Sequence, residues 1–186
     1  MQLRTPLYLL QPLDRRRRLF SALGVEWAGT PLWWLSPIWL VAFGVALGLA
    51  FAPADTSGQR ATIGLGYGVL IVASVVWHSV CQIAGGHLAG APMRRNVLTA
   101  SLPVNEYEDD RDYPSRVHVM RALGGPFGNL LLGLAALLLD AVAGPSHYFV
   151  LVAVVNFAFA AASMVPLPGM DGASALHESR HWRPAR

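Results

Sequence analysis

Four long apolar runs, separated by arginine-rich stretches, constrain this fold more than any other feature. A helix needs about 20 mainly apolar residues to cross a bilayer. Such runs cover residues 32–52, 61–89, 123–142 and 148–165. Apolar residues make up 54% of the chain and charged residues 13%, about half the charged share of soluble domains. The pattern predicts an all-α membrane protein with four transmembrane helices.

The arginines predict the orientation of those helices. All 14 basic residues are arginine, and 13 of them lie before the first run, between the second and third, or after the fourth, with Arg60 as the exception. Positive residues collect in cytoplasmic loops. We therefore expect a multi-pass integral membrane protein with both termini in the cytoplasm. The arginines do not form a stripe interleaved with aromatic residues, so we expect no nucleic acid partner.

The runs divide the chain into three parts. Residues 1–30 form a cytoplasmic or interfacial N-terminal segment, either a short helix on the anionic inner leaflet or a disordered tail. Residues 31–173 form the four-helix membrane domain, and residues 174–186 form a cytoplasmic C-terminal tail.

The central loop, between the second and third runs, has two distinct stretches. Residues 96–102 have strand-like character, which predicts a short cytoplasmic strand. An acidic run follows, and a solvated loop is the usual structure of such a run. With Tyr107 and Tyr113 it offers a cytoplasmic contact surface. The acidic residues are Glu106, Glu108, Asp109, Asp110 and Asp112.

Three short motifs lie at the cytoplasmic ends of the last three runs. Residues 78–82 read H-S-V-C-Q, residues 125–129 read G-P-F-G-N, and residues 166–172 read P-L-P-G-M-D-G. With the orientation given above, all three fall in the cytoplasmic half of the bilayer. Unrelated motifs would not be expected to share that depth.

The order and placement of these motifs resemble the site-2 proteases, a family of intramembrane zinc metalloproteases. The resemblance covers about residues 61–173, so it implies a protease-like core formed by the last three helices. In that family an H-E-x-x-H motif supplies two histidine ligands and a catalytic glutamate, and a distant D-G motif supplies an aspartate ligand. It places His78 at the first ligand position, Gln82 at the second and Asp171 at the third, with Ser79 at the glutamate position.

The two substitutions remove the chemistry of hydrolysis. A zinc hydrolase needs three protein ligands, an open coordination position and a general base. The hydroxyl of Ser79 has no useful basicity near neutral pH, and the amide of Gln82 is a weaker zinc ligand than imidazole. We therefore expect no catalytic residues and no peptidase activity.

Two arrangements of the remaining polar residues stay open. Cys81 lies three residues after His78 and could share its helix face as a further ligand. His78, Cys81 and Asp171 would then form a metal site, with zinc as the metal. Alternatively, His78, Gln82 and Asp171 hydrogen-bond to one another, because buried polar groups in a membrane must be paired. We expect the second arrangement, and with it no cofactor.

Gly125, Pro126 and Asn129 also have two interpretations. They resemble the family's G-P-x-x-N element, which helps to shape the substrate groove beside the metal. Small residues also allow helices to approach closely, and an asparagine can hydrogen-bond between helices. Groove and packing roles are both compatible with these residues.

The leading functional hypothesis is a catalytically inactive, site-2-protease-like accessory or assembly subunit. It would bind transmembrane segments within a larger membrane complex, so its partners would be other integral membrane proteins and the lipid bilayer. One alternative is a metal-dependent intramembrane peptidase with an altered site. Another is a subunit of a photosynthetic or respiratory complex in which His78 ligates a haem or pigment.

Overall fold

The computed structural model describes residues 15–107 and 113–181. In that part of the chain, five helices and four strands follow one another in the order β1 (Arg17–Ala22), β2 (Val25–Gly29), α1 (Leu35–Phe51), α2 (Ser57–Leu88), β3 (Met93–Leu98), β4 (Val104–Tyr107), α3 (Ser115–Ala143), α4 (His147–Ser163) and α5 (Asp171–His181).

Each of the four apolar runs forms one helix, α1 to α4. By length and composition, α2 with 32 residues and α3 with 29 can cross a membrane. The apolar helices α1 and α4 are shorter, at 17 residues each. The protein is therefore mostly helical, and its two long apolar helices indicate association with a membrane.

Helix α3 begins earlier than the sequence predicted. Its first residue is Ser115, directly after Pro114, so His118 and Arg121 belong to the helix and not to the cytoplasmic loop. The guanidinium of Arg121 lies 3.3 Å from the centre of the Tyr107 ring. Such cation–π contacts stabilise a partly dehydrated arginine. Tyr107, expected on a cytoplasmic contact surface, is therefore partly buried against Arg121 and the apolar cluster of the sheet.

The expectation of an all-α protein is wrong, because the four strands form one mixed sheet in the order β1-β2-β3-β4. The strand predicted within residues 96–102 is confirmed in part as β3, although it runs from Met93 to Leu98. β1 and β2 pair antiparallel, β2 and β3 parallel, and β3 and β4 antiparallel.

The β1–β2 hairpin replaces the short helix or disordered tail expected near the N-terminus, and residues 1–14 lie outside the described residues. Its two turn residues, Leu23 and Gly24, have φ angles of 56° and 73°. A two-residue turn with two positive φ angles suits the twist of a hairpin. Glycine is the usual residue at such positions and leucine is not, so only one of the two turn residues could be recognised as a turn signal.

The sheet packs against the last turns of α2. Val25 and Trp27 of β2, Ile83 of α2 and Met93 of β3 form a buried apolar cluster. β2 precedes α1 and β3 follows α2, and the two strands pair directly, with Trp27 opposite Asn96. The start of α1 and the end of α2 therefore lie at the same end of the molecule.

Helix α1 lies very close to α2 over its C-terminal half. A Cβ atom added to Gly44 would meet the backbone at Gly68, and one added to Gly48 would meet the backbone at Gly64. Small residues permit this backbone-to-backbone approach of apolar helices. We call this contact the glycine seam.

The C-terminal region is more ordered than a simple tail. Helix α5 begins at Asp171 and packs on α3, so the expected boundary after residue 173 falls in its first turn. Residues 182–186 lie outside the described residues, as do residues 108–112, which contain most of the acidic run. Glu106 of that run bonds Arg95 and Arg16, so it is not a freely solvated carboxylate.

Candidate functional site: a polar cluster between α2 and α5

His78, Gln82 and Asp171 come together, although 89 residues separate the last two along the chain. His78 and Gln82 lie one turn apart on α2, and Asp171 is the first residue of α5. The His78 Nε2 atom lies 3.2 Å from Asp171 Oδ2, and Gln82 Nε2 donates to Asp171 Oδ1 at 2.5 Å. Both carboxylate oxygens of Asp171 therefore have a partner on α2.

The cluster continues into the sheet through Asn105, which the sequence analysis missed. Asn105 Nδ2 donates to Gln82 Oε1, and Asn96 Nδ2 donates to Asn105 Oδ1 at 3.0 Å. Both amide atoms of Gln82 are thereby used, one toward α5 and one toward β4. The predicted strand ended at residue 102, before Asn105, and no local pattern marks a side chain whose partner is on a distant helix.

The backbone of α3 closes the cluster on a third side. A Cβ atom at Gly125 would overlap the His78 ring, and one at Gly124 would lie 2.7 Å from the Cys81 carbonyl oxygen. Pro126 follows within the helix and is buried. A larger side chain at position 125 would displace His78 from Asp171, so the glycine is required for the contact.

The backbone of the D-G pair is also constrained. A Cβ atom at Gly172 would overlap the carbonyl group of Met164, the residue at which α4 ends. Glycine after Asp171 therefore lets α5 begin directly against the end of α4. This close turn places the Asp171 carboxylate beside α2.

Cys81 contacts a different part of α3. Its Sγ atom packs where a Cβ atom of Gly128 would be, beside the Trp77 indole, which donates to the Gly128 carbonyl at 2.8 Å. Within residues 15–107 and 113–181, no group of three or more His, Cys, Asp and Glu side chains is placed to hold a metal ion. Cys81 therefore lies against α3, outside the hydrogen bonds that join His78, Gln82 and Asp171.

Ser79 and Asn129 are both buried but lie outside the hydrogen-bonded cluster. Ser79, at the glutamate position of the motif, is 3% exposed and lines an apolar cavity between α1 and α2. Asn129 is 0% exposed, and within the described part of the chain neither of its amide atoms has a hydrogen-bond partner. The interhelical hydrogen bond that the packing interpretation gives this asparagine is therefore not found among the described residues.

An ion-pair network fixes the sheet beside the cluster. Arg95 of β3 donates to Glu26 of β2 at 2.8 and 3.1 Å and to Glu106 of β4 at 3.1 Å. The hydrogen bond from Arg95 lowers the pKa of the Glu26 carboxyl, and the same bond raises the pKa of the Arg95 guanidinium. Because Glu106 is next to Asn105, the network helps to hold Asn105 against Gln82.

A comparison with solved structures places this arrangement in a known fold. The chain's fold resembles that of a site-2 protease. The structure "Site-2 Protease from Methanocaldococcus jannaschii" matches with a TM-score of 0.61, over 89% of this chain and 71% of that chain, at 15% identity. No protein-family model and no curated protein matches the chain. The site-2-protease-like fold expected from the motifs is thus confirmed, and at this identity the likeness concerns the fold alone.

Proposed function

We propose that this protein is a non-hydrolytic, site-2-protease-like membrane protein that binds transmembrane segments of other membrane proteins as an accessory or assembly subunit. One observation carries its non-hydrolytic part, whereas the binding of transmembrane segments rests on the likeness in fold. Gln82, at the second histidine position of the motif, joins Asp171 to Asn105 through its two amide atoms. The groups that would face a metal in a protease are thereby engaged in bonds that stabilise the fold.

The chemistry of position 79 supports the same conclusion. Hydrolysis at a zinc site needs a general base whose pKa is near neutral pH and which lies within hydrogen-bond reach of the attacking water. A serine hydroxyl does not ionise in that range. Ser79 is also buried in the apolar cavity on the α1 side of α2. It is therefore poorly suited to activate water beside His78.

The membrane topology that we propose has four crossings, with both termini in the cytoplasm. Helices α1 and α4, with 17 residues each, are about 26 Å long at 1.5 Å per residue. That is near the lower limit for a membrane-spanning helix. The pairing of β2 with β3 supports two crossings by α1 and α2, because it requires that pair to return to its starting side.

Zinc content tests the absence of a metalloprotease site. We expect wild-type protein purified in mild detergent to contain far less than one zinc per chain by elemental mass spectrometry. A Ser79→Glu, Gln82→His double variant restores the family's motif and is expected to retain zinc. Near-stoichiometric zinc in the wild type, lost in His78→Ala and kept in the control His147→Ala, would overturn the proposal.

Site-specific crosslinking tests the binding of transmembrane segments. Phe127 is 60% exposed and lies beside Pro126, whereas Leu138 is 63% exposed on the same helix, three turns farther from the polar cluster. A photoreactive residue at position 127 is expected to capture one defined membrane protein that position 138 does not capture. Equal labelling from both positions would indicate random collisions in the bilayer and contradict a specific groove.

Cysteine labelling tests the topology, because Cys81 is the chain's single cysteine. In a Cys81→Ala background, we expect Ser101→Cys to react only with reagent on the cytoplasmic side. Ser57→Cys, at the first residue of α2, and Ser146→Cys, just before α4, should react only from the opposite side. Labelling of all three from one side would refute four crossings.

A further inference from the structure

The contact between α1 and α2 changes character along its length. In the glycine seam, Gly44 meets Gly68 and Gly48 meets Gly64. The helices are antiparallel, so the next positions toward the sheet bring Leu40 opposite Val72. There the glycines end, and larger side chains take their place on both helices, beside an open space.

The open space is a cavity of about 200 Å³ directly beyond the glycine seam. Its walls are formed by Pro37 and Leu40 of α1 and by Val72 and Val75 of α2, and Trp27 of β2 closes its end at the sheet. The lining residues lie on the same faces of α1 and α2 as the glycine pairs and extend about two helical turns beyond them, toward the sheet. We call this space the seam cavity.

The lining of the seam cavity selects an apolar occupant. Its walls are almost entirely apolar, and no charged residue is among the described residues that line it. In another protein, an apolar cavity of roughly 150 Å³ stays dry and binds benzene. An extended peptide would bring N–H and C=O groups that this lining could not pair, at a high desolvation cost. A stretch of an acyl chain brings no polar groups at all.

The charges near the sheet indicate the headgroup. Trp33 lines the seam cavity and packs against Gly29, which pairs with Arg17 across the β1–β2 ladder. Adjacent strands are about 4.8 Å apart, so the exposed Arg17 side chain can reach the edge of the cavity. Arginine binds phosphate through paired, charge-assisted hydrogen bonds.

We propose that the seam cavity binds one acyl chain of an anionic phospholipid whose phosphate group lies on Arg17. Trp33 and Trp39 stand at the start of α1, where indoles favour the headgroup level of a bilayer. The bound acyl chain would pass Ser79 and reach as far as Leu40 and Val72, beside the glycine seam. This inference depends on the proposed membrane location, and it is independent of hydrolysis and of binding to other proteins.

Native mass spectrometry of the detergent-solubilised full chain tests the inference, with phosphatidylglycerol as the added lipid. We expect one tightly retained phosphatidylglycerol per wild-type chain. Val75→Phe fills the seam cavity and should weaken retention by about tenfold or more, the effect of excluding two or more buried methylene groups. Val69→Phe makes the same change at a 62% exposed position of α2 and should leave retention unchanged.

Further variants make each outcome decisive. Arg17→Gln should reduce retention of phosphatidylglycerol while leaving that of phosphatidylcholine unchanged. If Val75→Phe fails to fold, Leu40→Phe fills the same space from the opposite wall. Equal retention by cavity-filled and control variants would overturn the inference, as would retention of free fatty acid or detergent only, or equal retention of both lipids by the wild type.

Discussion

Helix α2 has two faces that are held in opposite ways. Toward α1 it presents Gly64 and Gly68, which touch backbone and have no side chain to bond. Toward α5 it presents His78 and Gln82, whose side chains meet Asp171 through hydrogen bonds. The contact with α1 depends on the absence of side chains at Gly64 and Gly68. The contact with α5 depends on a hydrogen-bond partner for each polar side chain. A substitution therefore acts through steric overlap on one face and through an unpaired polar group on the other.

Filling the glycine seam is expected to cause the largest loss of stability on either face of α2. Gly44→Leu places a side chain where the Gly68 backbone lies, and a backbone cannot move aside as a side chain can. We expect a loss of about 3 kcal/mol or more in stability, the upper range for overpacking. Gly58→Leu is the matched control, because nothing lies within 4 Å of a Cβ atom there. Thermal unfolding in detergent measures both variants, and equal midpoints would contradict the role of the seam.

Removal of Asp171 tests the polar face and is expected to have the next largest effect. Asp171→Ala takes the shared acceptor from His78 and Gln82, leaving the buried Gln82 amide and the partly buried His78 ring without that partner. An unsatisfied buried group costs about 1–3 kcal/mol. Glu178→Ala, on the same helix α5, should have little effect. The same unfolding assay applies, and a similar loss in both variants would assign the effect to α5 as a whole.

The hydrogen bond from Asn105 to Gln82 extends the polar face of α2 into the sheet, and it can be tested separately from Asp171. We expect Asn105→Ala and Gln82→Leu to be non-additive, with a coupling free energy of about 1 kcal/mol. A double-mutant cycle, measured by chemical denaturation, gives this value directly. If the two losses of unfolding free energy simply add, the two amide side chains do not interact in the folded protein.

The smallest expected effect concerns Glu26, at the edge of the same network. Its pKa is lowered in the folded protein by the hydrogen bond from Arg95, so its contribution exists above its unfolded pKa and disappears as the pH falls through its folded pKa. Glu26→Gln should therefore destabilise slightly at neutral pH and not at acid pH. High salt should reduce the neutral-pH difference because the Glu26 side chain is partly exposed to solvent. A difference that persists in acid would exclude the ion pair as its cause.

The sequence predicted the parts of the fold whose signal is local. Apolar runs alone located α1 to α4, and three motifs indicated the site-2-protease-like arrangement that brings His78, Gln82 and Asp171 together. The first two motifs lie inside α2 and α3, and the third, with its prolines and glycines, forms the turn between α4 and α5. The start of α3 was misplaced by eight residues because its first two turns are polar and carry no membrane signal.

The sheet and Asn105 could not be predicted, for a physical reason. β2 gains its partners only when Trp27 reaches Ile83 on α2 and Met93 on β3, and neither is near in the sequence. Asn105 is likewise defined by a hydrogen bond to Gln82, 23 residues away on another element. Contacts of this kind arise from the assembled tertiary structure, whereas composition and periodicity report only neighbours along one element.

The parallel pairing of β2 with β3 has a consequence for biogenesis. Glu26 and Arg95, which join these strands, are 69 residues apart. At roughly 5–20 residues per second of synthesis, the N-terminal hairpin waits about 3–14 s for its partner strand. During that interval β2 presents an unpaired edge, together with the apolar side chains of Val25 and Trp27. Closure of the sheet therefore requires that all of α1 and α2 has been synthesised first, so the sheet is completed after both helices exist.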